Sequence, residues 1–176
     1  MSRPRYTTLF CILAFGIATT ASAQSFEIIK VGSQIWMAKN LNVEVAGSWC
    51  YDNNPENCTK YGRLYTYEAA LKACPKGWHL PSSAEWSVLA SFLGGEDVAG
   101  KALKVNGISG LKLMLGGNRI QSGGFGLIGS YGSYWSSTKY NKDHAWYMYI
   151  TDKNDYITLT YFTTSYGFSV RYIKDK

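Results

Sequence analysis

Side chains able to do acid–base, nucleophilic or metal chemistry are few in this sequence. Two histidines, His79 and His144, occur in 176 residues. Cys74, His79 and Glu85 are the donor types of a zinc site, but no second clustered pair follows them. His79 therefore reads as a hydrogen-bonding or stacking neighbour of Trp78. Asp143-His144 beside a serine has the components of an acyl-transfer triad, yet adjacent residues on a strand point to opposite faces. Gly124-Phe125-Gly126-Leu127-Ile128-Gly129 matches the dinucleotide fingerprint. Ser130-Tyr131-Gly132-Ser133-Tyr134-Trp135 comes next, where a bound pyrophosphate would need a helix N-terminus. Asn57-Cys58-Thr59 has the letters of a glycosylation acceptor and reads as chance. These letters argue for no catalytic constellation, no metal site and no cofactor.

What remains is aromatic and hydrogen-bonding. The chain has 14 tyrosines, and aromatic residues make up 15% of it. A tyrosine buries area while keeping a polar tip, which suits a binding surface; it is also a good strand former. Tyr131, Tyr134 and Tyr140, with Tyr147 and Tyr149, are the candidate platform. Asn118, Arg119, Asn141 and Asp143 are its candidate hydrogen-bonding neighbours. Aromatic rings beside amides and a guanidinium suit sugar rings or a protein surface.

The elements that must position these residues centre on Tyr65 to Trp86. Thr66 is placed to cap a helix carrying Ala69, Ala70 and Ala73, which Pro75 and Gly77 end. Trp78 and Leu80 flank His79 as in a half-buried strand. Ser82 and Glu85 have capping-box spacing ahead of a helical stripe of Trp86, Leu89, Ala90 and Leu93, stopped at Gly94-Gly95. Phe26–Val31 and Gln34–Met37 around Gly32-Ser33 read as a hairpin with a two-residue turn. The stretch 42–60 reads as irregular, 62–66 as a short strand, and 98–103 as a brief helix interrupted at Gly100. Nine glycines make 107–134 a long loop, the kind that is functional or disordered. Strands are expected at 134–138, 144–151, 156–163 and 167–173. Trp146, Met148 and Ile150 would share one face, and Ile157, Leu159 and Tyr161 another. Trp36, Trp78, Trp86, Trp135 and Trp146 fall in regular elements and read as core. The sum is an α+β domain, two helices on an antiparallel sheet.

Arg3 and Arg5, the apolar run Leu9–Ile17 and Ala21-Ser22-Ala23 have the layout of an export signal, residues 1–23, leaving a domain at 24–176. The run is too short to span a membrane. Formal charge is +6 from 18 basic and 12 acidic residues; without Arg3 and Arg5 it is +4. Lys30, Lys39, Lys60, Lys72, Lys101, Lys112, Lys139 and Lys153 are scattered, a solvated surface rather than a nucleic-acid patch. Three cysteines remain after export, so one is left over in an oxidising compartment. Cys50 and Cys58 flank a turn-rich loop and are the favoured pair.

Gly77-Trp78-His79-Leu80-Pro81-Ser82 with Glu85-Trp86 resembles the Fibrobacter succinogenes major paralogous domain. So do Gln34-Ile35-Trp36-Met37-Ala38-Lys39-Asn40-Leu41, Cys50-Tyr51-Asp52-Asn53, Tyr61-Gly62-Arg63-Leu64-Tyr65, Tyr134-Trp135-Ser136-Ser137-Thr138 and Tyr166-Gly167-Phe168-Ser169-Val170-Arg171. These cover almost the whole exported chain in order. The resemblance implies a C-type-lectin-like fold, also similar to formylglycine-generating enzymes, with two helices on a curled antiparallel sheet and a long glycine-rich loop that commonly carries ligands. It further implies a partner for Cys74 in the last strand. Here that context reads Val170-Arg171-Tyr172, so Cys74 is expected to be a free thiol, packed and inert. Calcium-dependent sugar binding is not expected: Trp135-Ser136-Ser137 stands where such lectins carry Trp-Asn-Asp, and the long loop has almost no acidic oxygens. The cysteine pair that formylglycine generators use near the chain end is missing.

The resulting expectation is an exported, non-catalytic binding module. It would be secreted, periplasmic or on the cell surface, with a polysaccharide or surface protein as partner and no nucleic acid. A structural or adhesive envelope component is the alternative, and a distant relative of formylglycine-generating enzymes the second.

Overall fold

Ile28–Val31 (β1) and Gln34–Met37 (β2) form the expected hairpin, pairing Val31 with Gln34 across a turn where Gly32 takes φ +60°. A computed structural model describes residues 25–176; the export signal expected at 1–23 lies outside the described residues. No helix among the described residues is long and apolar enough to cross a membrane.

The stretch expected to be irregular holds Ser48–Trp49 (β3), a 3-10 turn at Tyr51–Asn53 and a helix, Pro55–Tyr61 (α1). The helix lacks an apolar stripe. Its start is fixed by Asn54, whose side chain accepts from the Glu56 N–H, and by Pro55 in the first turn. The Cys50–Cys58 disulfide ties it to the 3-10 turn.

Leu64–Tyr65 (β4) leads into Tyr67–Lys72 (α2), capped by the Thr66 hydroxyl as expected. Trp78–His79 (β5) precedes Ser83–Phe92 (α3). The capping box is complete: Ser82 Oγ accepts from the Glu85 N–H, and a Glu85 oxygen accepts from the Ser82 N–H. Glu96–Leu103 (α4) runs through Gly100 without a break. Gly100 is not a stop but a point of contact: a Cβ there would lie 2.5 Å from the Tyr156 carbonyl oxygen. Four α-helices therefore occur among the described residues: the two expected to pack on the sheet, the brief one expected at 98–103, and α1.

The glycine-dense region is only partly loop. Gly116–Arg119 (β6) and Phe125–Ile128 (β7) pair antiparallel within it. Tyr131–Lys139 (β8), His144–Thr151 (β9) and Thr158–Thr163 (β10) follow, giving a sheet of order β10-β9-β8-β6-β7. The sheet is mixed rather than antiparallel throughout, because β6 meets β8 in parallel at Gly117 and Gly132. The expected last strand is a string of single bridges, Gly167 to Arg119, Phe168 to Tyr65 and Ser169 to Tyr134; regular pairing is confined to Ile173–Lys174 (β11). β11 sits between β2 and β5 in a second sheet of order β1-β2-β11-β5. The result is an α+β domain on a curled, half-barrel sheet.

The central strands β8 and β9 are covered on both faces. Tyr134, Met148 and Ile150 pack with Trp36 and with Trp86 and Leu89 of α3. Trp135 and Ala145 face the other way, toward Tyr65, Ala69 and Ala70 of α2, and Phe168. Trp36, Trp86 and Trp135 are fully buried, as expected. Trp78 and Trp146, also expected to be core, are only half-buried.

Candidate functional site

The seven residues singled out as a binding face do not converge. Arg119 lies on β6, its guanidinium carbon 3.8 Å above the Trp49 ring and 5.8 Å from Phe125. Its backbone exchanges two hydrogen bonds with Gly167. Asn118, its neighbour, pairs with Gly126 and is half-buried. Tyr131, at the start of β8, packs 5.7 Å from Tyr149. Tyr140 follows the other end of that strand, roughly 25–30 Å away at about 3.3 Å per residue.

Tyr134 must be removed from the surface set. It is fully buried, its hydroxyl donating to the Met114 carbonyl at 2.8 Å and facing Asn40 Nδ2 at 3.4 Å. In a strand covered on both faces, alternation does not mark a wet side.

Tyr140, Asn141 and Asp143 do come together, in the turn between β8 and β9. Tyr140 stacks on Tyr161 of β10 with centroids 3.6 Å apart and planes 3° from parallel. Tyr140 is 52% exposed and Tyr161 40%. The Tyr140 hydroxyl raises the Tyr161 pKa by hydrogen bonding and charge. His144 and Trp146 meet Tyr161 edge-on at 6.1 and 5.8 Å. Phe162, the next residue of β10, faces the other side of the sheet, packing on Tyr166 at 4.6 Å and Tyr147 at 6.4 Å.

The polar neighbours are committed to the turn. Asn141 Oδ1 accepts from the N–H groups of Asp143 and His144 and lies 3.1 Å from His144 Nδ1. The Asp143 carbonyl accepts from the Thr164 N–H, fixing the turn against the end of β10, while its carboxylate faces Lys142 at 3.8 Å. Sequence reasoning missed Tyr161, Phe162 and Trp146 as surface residues. Period-two alternation placed Tyr161 with Ile157 and Leu159; Ile157 is buried and Leu159 half-buried.

Other chemistry-bearing groups lie elsewhere. His79 bridges two carboxylates, with Nδ1 at 2.7 Å from Asp175 and Nε2 at 2.9 Å from Glu85. Burial opposes its charge, but hydrogen bonds and charges from Glu85 and Asp175 outweigh this and raise its pKa. Cys74 is a free thiol, half-buried, 3.0 Å from the Trp78 carbonyl. Burial, aided by the Asp175 charge, pushes its pKa up to about 11, which keeps it protonated at neutral pH. No group of three or more metal-ligating side chains is assembled among the described residues. Lys39, Lys60 and Lys112, scattered in sequence, line one cavity with Arg171.

No curated protein and no solved structure matches the chain. A family model does match, that of the Fibrobacter succinogenes major domain, over residues 29–174. With the match covering most of the sequence, the chain belongs to the Fibrobacter succinogenes major domain family.

Proposed function

We propose that this chain is an exported, non-catalytic binding module with a C-type-lectin-like arrangement, and that its ligand is a glycan. The observation that carries the reading is the exposed Tyr140–Tyr161 stack, flanked by Trp146 and His144. Sugar rings present C–H faces that pack on aromatic rings, and phenol hydroxyls can bond the ring's edge. Asn141 and Asp143 rigidify the turn, so little conformational entropy is lost on binding. The Cys50–Cys58 disulfide supports an oxidising, extracytoplasmic location.

Retention of the purified chain on insoluble cellulose, xylan and peptidoglycan tests this reading. Retention on one of them, lost in Tyr161→Ala while the fold survives, supports it. Passage through all three overturns the glycan version. A second reading, a surface-protein ligand, is favoured by β10 itself. It is an edge strand, and Thr158-Leu159-Thr160-Tyr161-Phe162-Thr163 carries no charge to blunt strand addition. Crosslinking in intact cells separates the two.

A further inference from the structure

A cavity of about 670 Å³ opens beside the first hairpin, lined by residues of 27–42, 58–62 and 110–114 and by Arg171. It shares no residue with the aromatic platform. Its volume is in the range of small-molecule sites.

Arg171 is 1% exposed. Its Nε and Nη2 donate to Asn40 Oδ1 at 3.1 and 2.7 Å, and its Nη1 donates to the carbonyls of Met37 and Leu111 at 2.9 and 3.1 Å. Every one of these acceptors is neutral. No ion pair to Arg171 occurs among the described residues. Burial lowers its pKa to about 10, with Tyr134 acting against the fall, so the group stays cationic at neutral pH. A buried charge normally has a counter-ion, because polar neighbours alone do not recover the lost hydration.

The rest of the lining adds to the imbalance. Lys39, Lys60 and Lys112 stand around the cavity, and Glu27 is the one acid in its lining among the described residues. Glu27 already engages Lys39 at 2.9 Å. Four cations against one carboxylate leave a formal +3. Low-dielectric walls focus such a field into the space they enclose. Lys112 is also one of the few non-glycine residues at positive φ, +51°, held between Leu111 and Leu113, both fully buried. That conformation is costly for a lysine and is retained where the surroundings require it, as at ligand clamps. Ile28, Ile29, Tyr61 and Met114 supply an apolar side.

From the uncompensated Arg171, the three lysines and the apolar wall, we infer that this cavity is a binding site for a small organic anion, acid group toward Arg171 and carbon body against Ile29 and Tyr61. A sugar acid has the right size and the right two-sided chemistry. The site is independent of the platform and would hold whether or not that surface binds glycans.

The experiment is titration of the full exported chain, followed by amide chemical-shift changes, with galacturonate, glucose and inorganic phosphate in separate arms at up to about 10 mM. Saturable shifts at residues 38–42 and 110–114 with galacturonate and none with glucose are expected. Binding should weaken severalfold between low and high ionic strength. Lys60→Glu with Lys112→Glu, both exposed positions, should lower galacturonate affinity at least tenfold, with folding and any glycan retention through Tyr161 unchanged. Equal response to glucose, unaltered binding by the lysine variant, or no shift with any arm overturns the inference. Phosphate binding as tightly as galacturonate overturns the organic part and leaves a simple anion site.

Discussion

Gly100→Ala puts the reading of α4 at risk. In an isolated helix this change adds stability, up to about 1 kcal/mol, because alanine loses less backbone freedom. In this fold the added methyl would lie 2.5 Å from the Tyr156 carbonyl oxygen and 2.8 Å from that of Asp155. Both are backbone atoms, so no side chain can swing away. Ordinary van der Waals contact begins near 3.4 Å, so α4 and the β9–β10 turn must part by about 0.9 Å. That motion strains the Lys101 N–H bond to Asp155 O at 3.2 Å, the Ile157 N–H bond to Glu96 O at 2.8 Å and the Lys104 Nζ bond to Asn154 O at 2.5 Å. Overpacking costs about 1–3 kcal/mol, and a weakened bond about 1 more. Set against the helix gain, the net is a loss of about 1–3 kcal/mol. Urea unfolding followed by tryptophan fluorescence should show a midpoint lower by about 1 M at unchanged slope. A midpoint equal to or above that of the parent chain would refute the close packing of α4 on that turn.

The charged link at His79 should make stability fall on the alkaline side. Its pKa is raised, so its contribution is complete below its ordinary value of 6.5 and is lost as pH rises through the folded value; that of Glu85 is lowered, so its share is lost in acid. The pairs are partly exposed, which limits the effect to about 1 kcal/mol; melting at pH 5.5 and 8.5 should differ by a few degrees, and His79→Gln should abolish the difference. Reduction of Cys50–Cys58, which closes a loop of separation 8, should cost about 2–3 kcal/mol, read as a lower urea midpoint in dithiothreitol. Tyr134→Phe removes a buried donor to the Met114 carbonyl and should cost about 1–2 kcal/mol with polysaccharide retention unaltered; lost retention in a folded variant would return Tyr134 to the binding surface.

What could be read from sequence was local. Thr66 and Ser82 reach backbone groups three residues on, and the hairpin turn at Gly32 is two residues long, so spacing alone identifies them. Helix α1 escaped because it carries no apolar stripe; the signal available was Asn54-Pro55, a cap followed by proline in the first turn. Tyr134 and Tyr161 were misassigned for opposite reasons. One lies in a strand buried on both faces, the other where its strand passes beyond the core. The convergence of Lys39, Lys60, Lys112 and Arg171 depends on contacts across the whole chain, and no window of sequence contains it.

Tyr172 ties α2 to the C-terminal segment without a covalent link. The family resemblance places a half-cystine at this position as partner to Cys74. Here the tyrosine is fully buried, and its hydroxyl donates to the Ala70 carbonyl at 2.5 Å, in the same helix, α2, that leads to Cys74. Burial of the ring pushes the phenol pKa far above its ordinary value, with the nearby Cys74 thiol adding to the effect. A neutral hydrogen bond contributes about 1 kcal/mol where a disulfide contributes about 2–4, but the ring also buries apolar area against Tyr65, Ala69 and Ala70, which offsets much of the difference. Packing and one buried bond thus hold α2 to the C-terminal segment. Cys74 is a free thiol kept protonated by burial, and neither the Tyr172 bond nor its packing depends on the redox state of the surroundings.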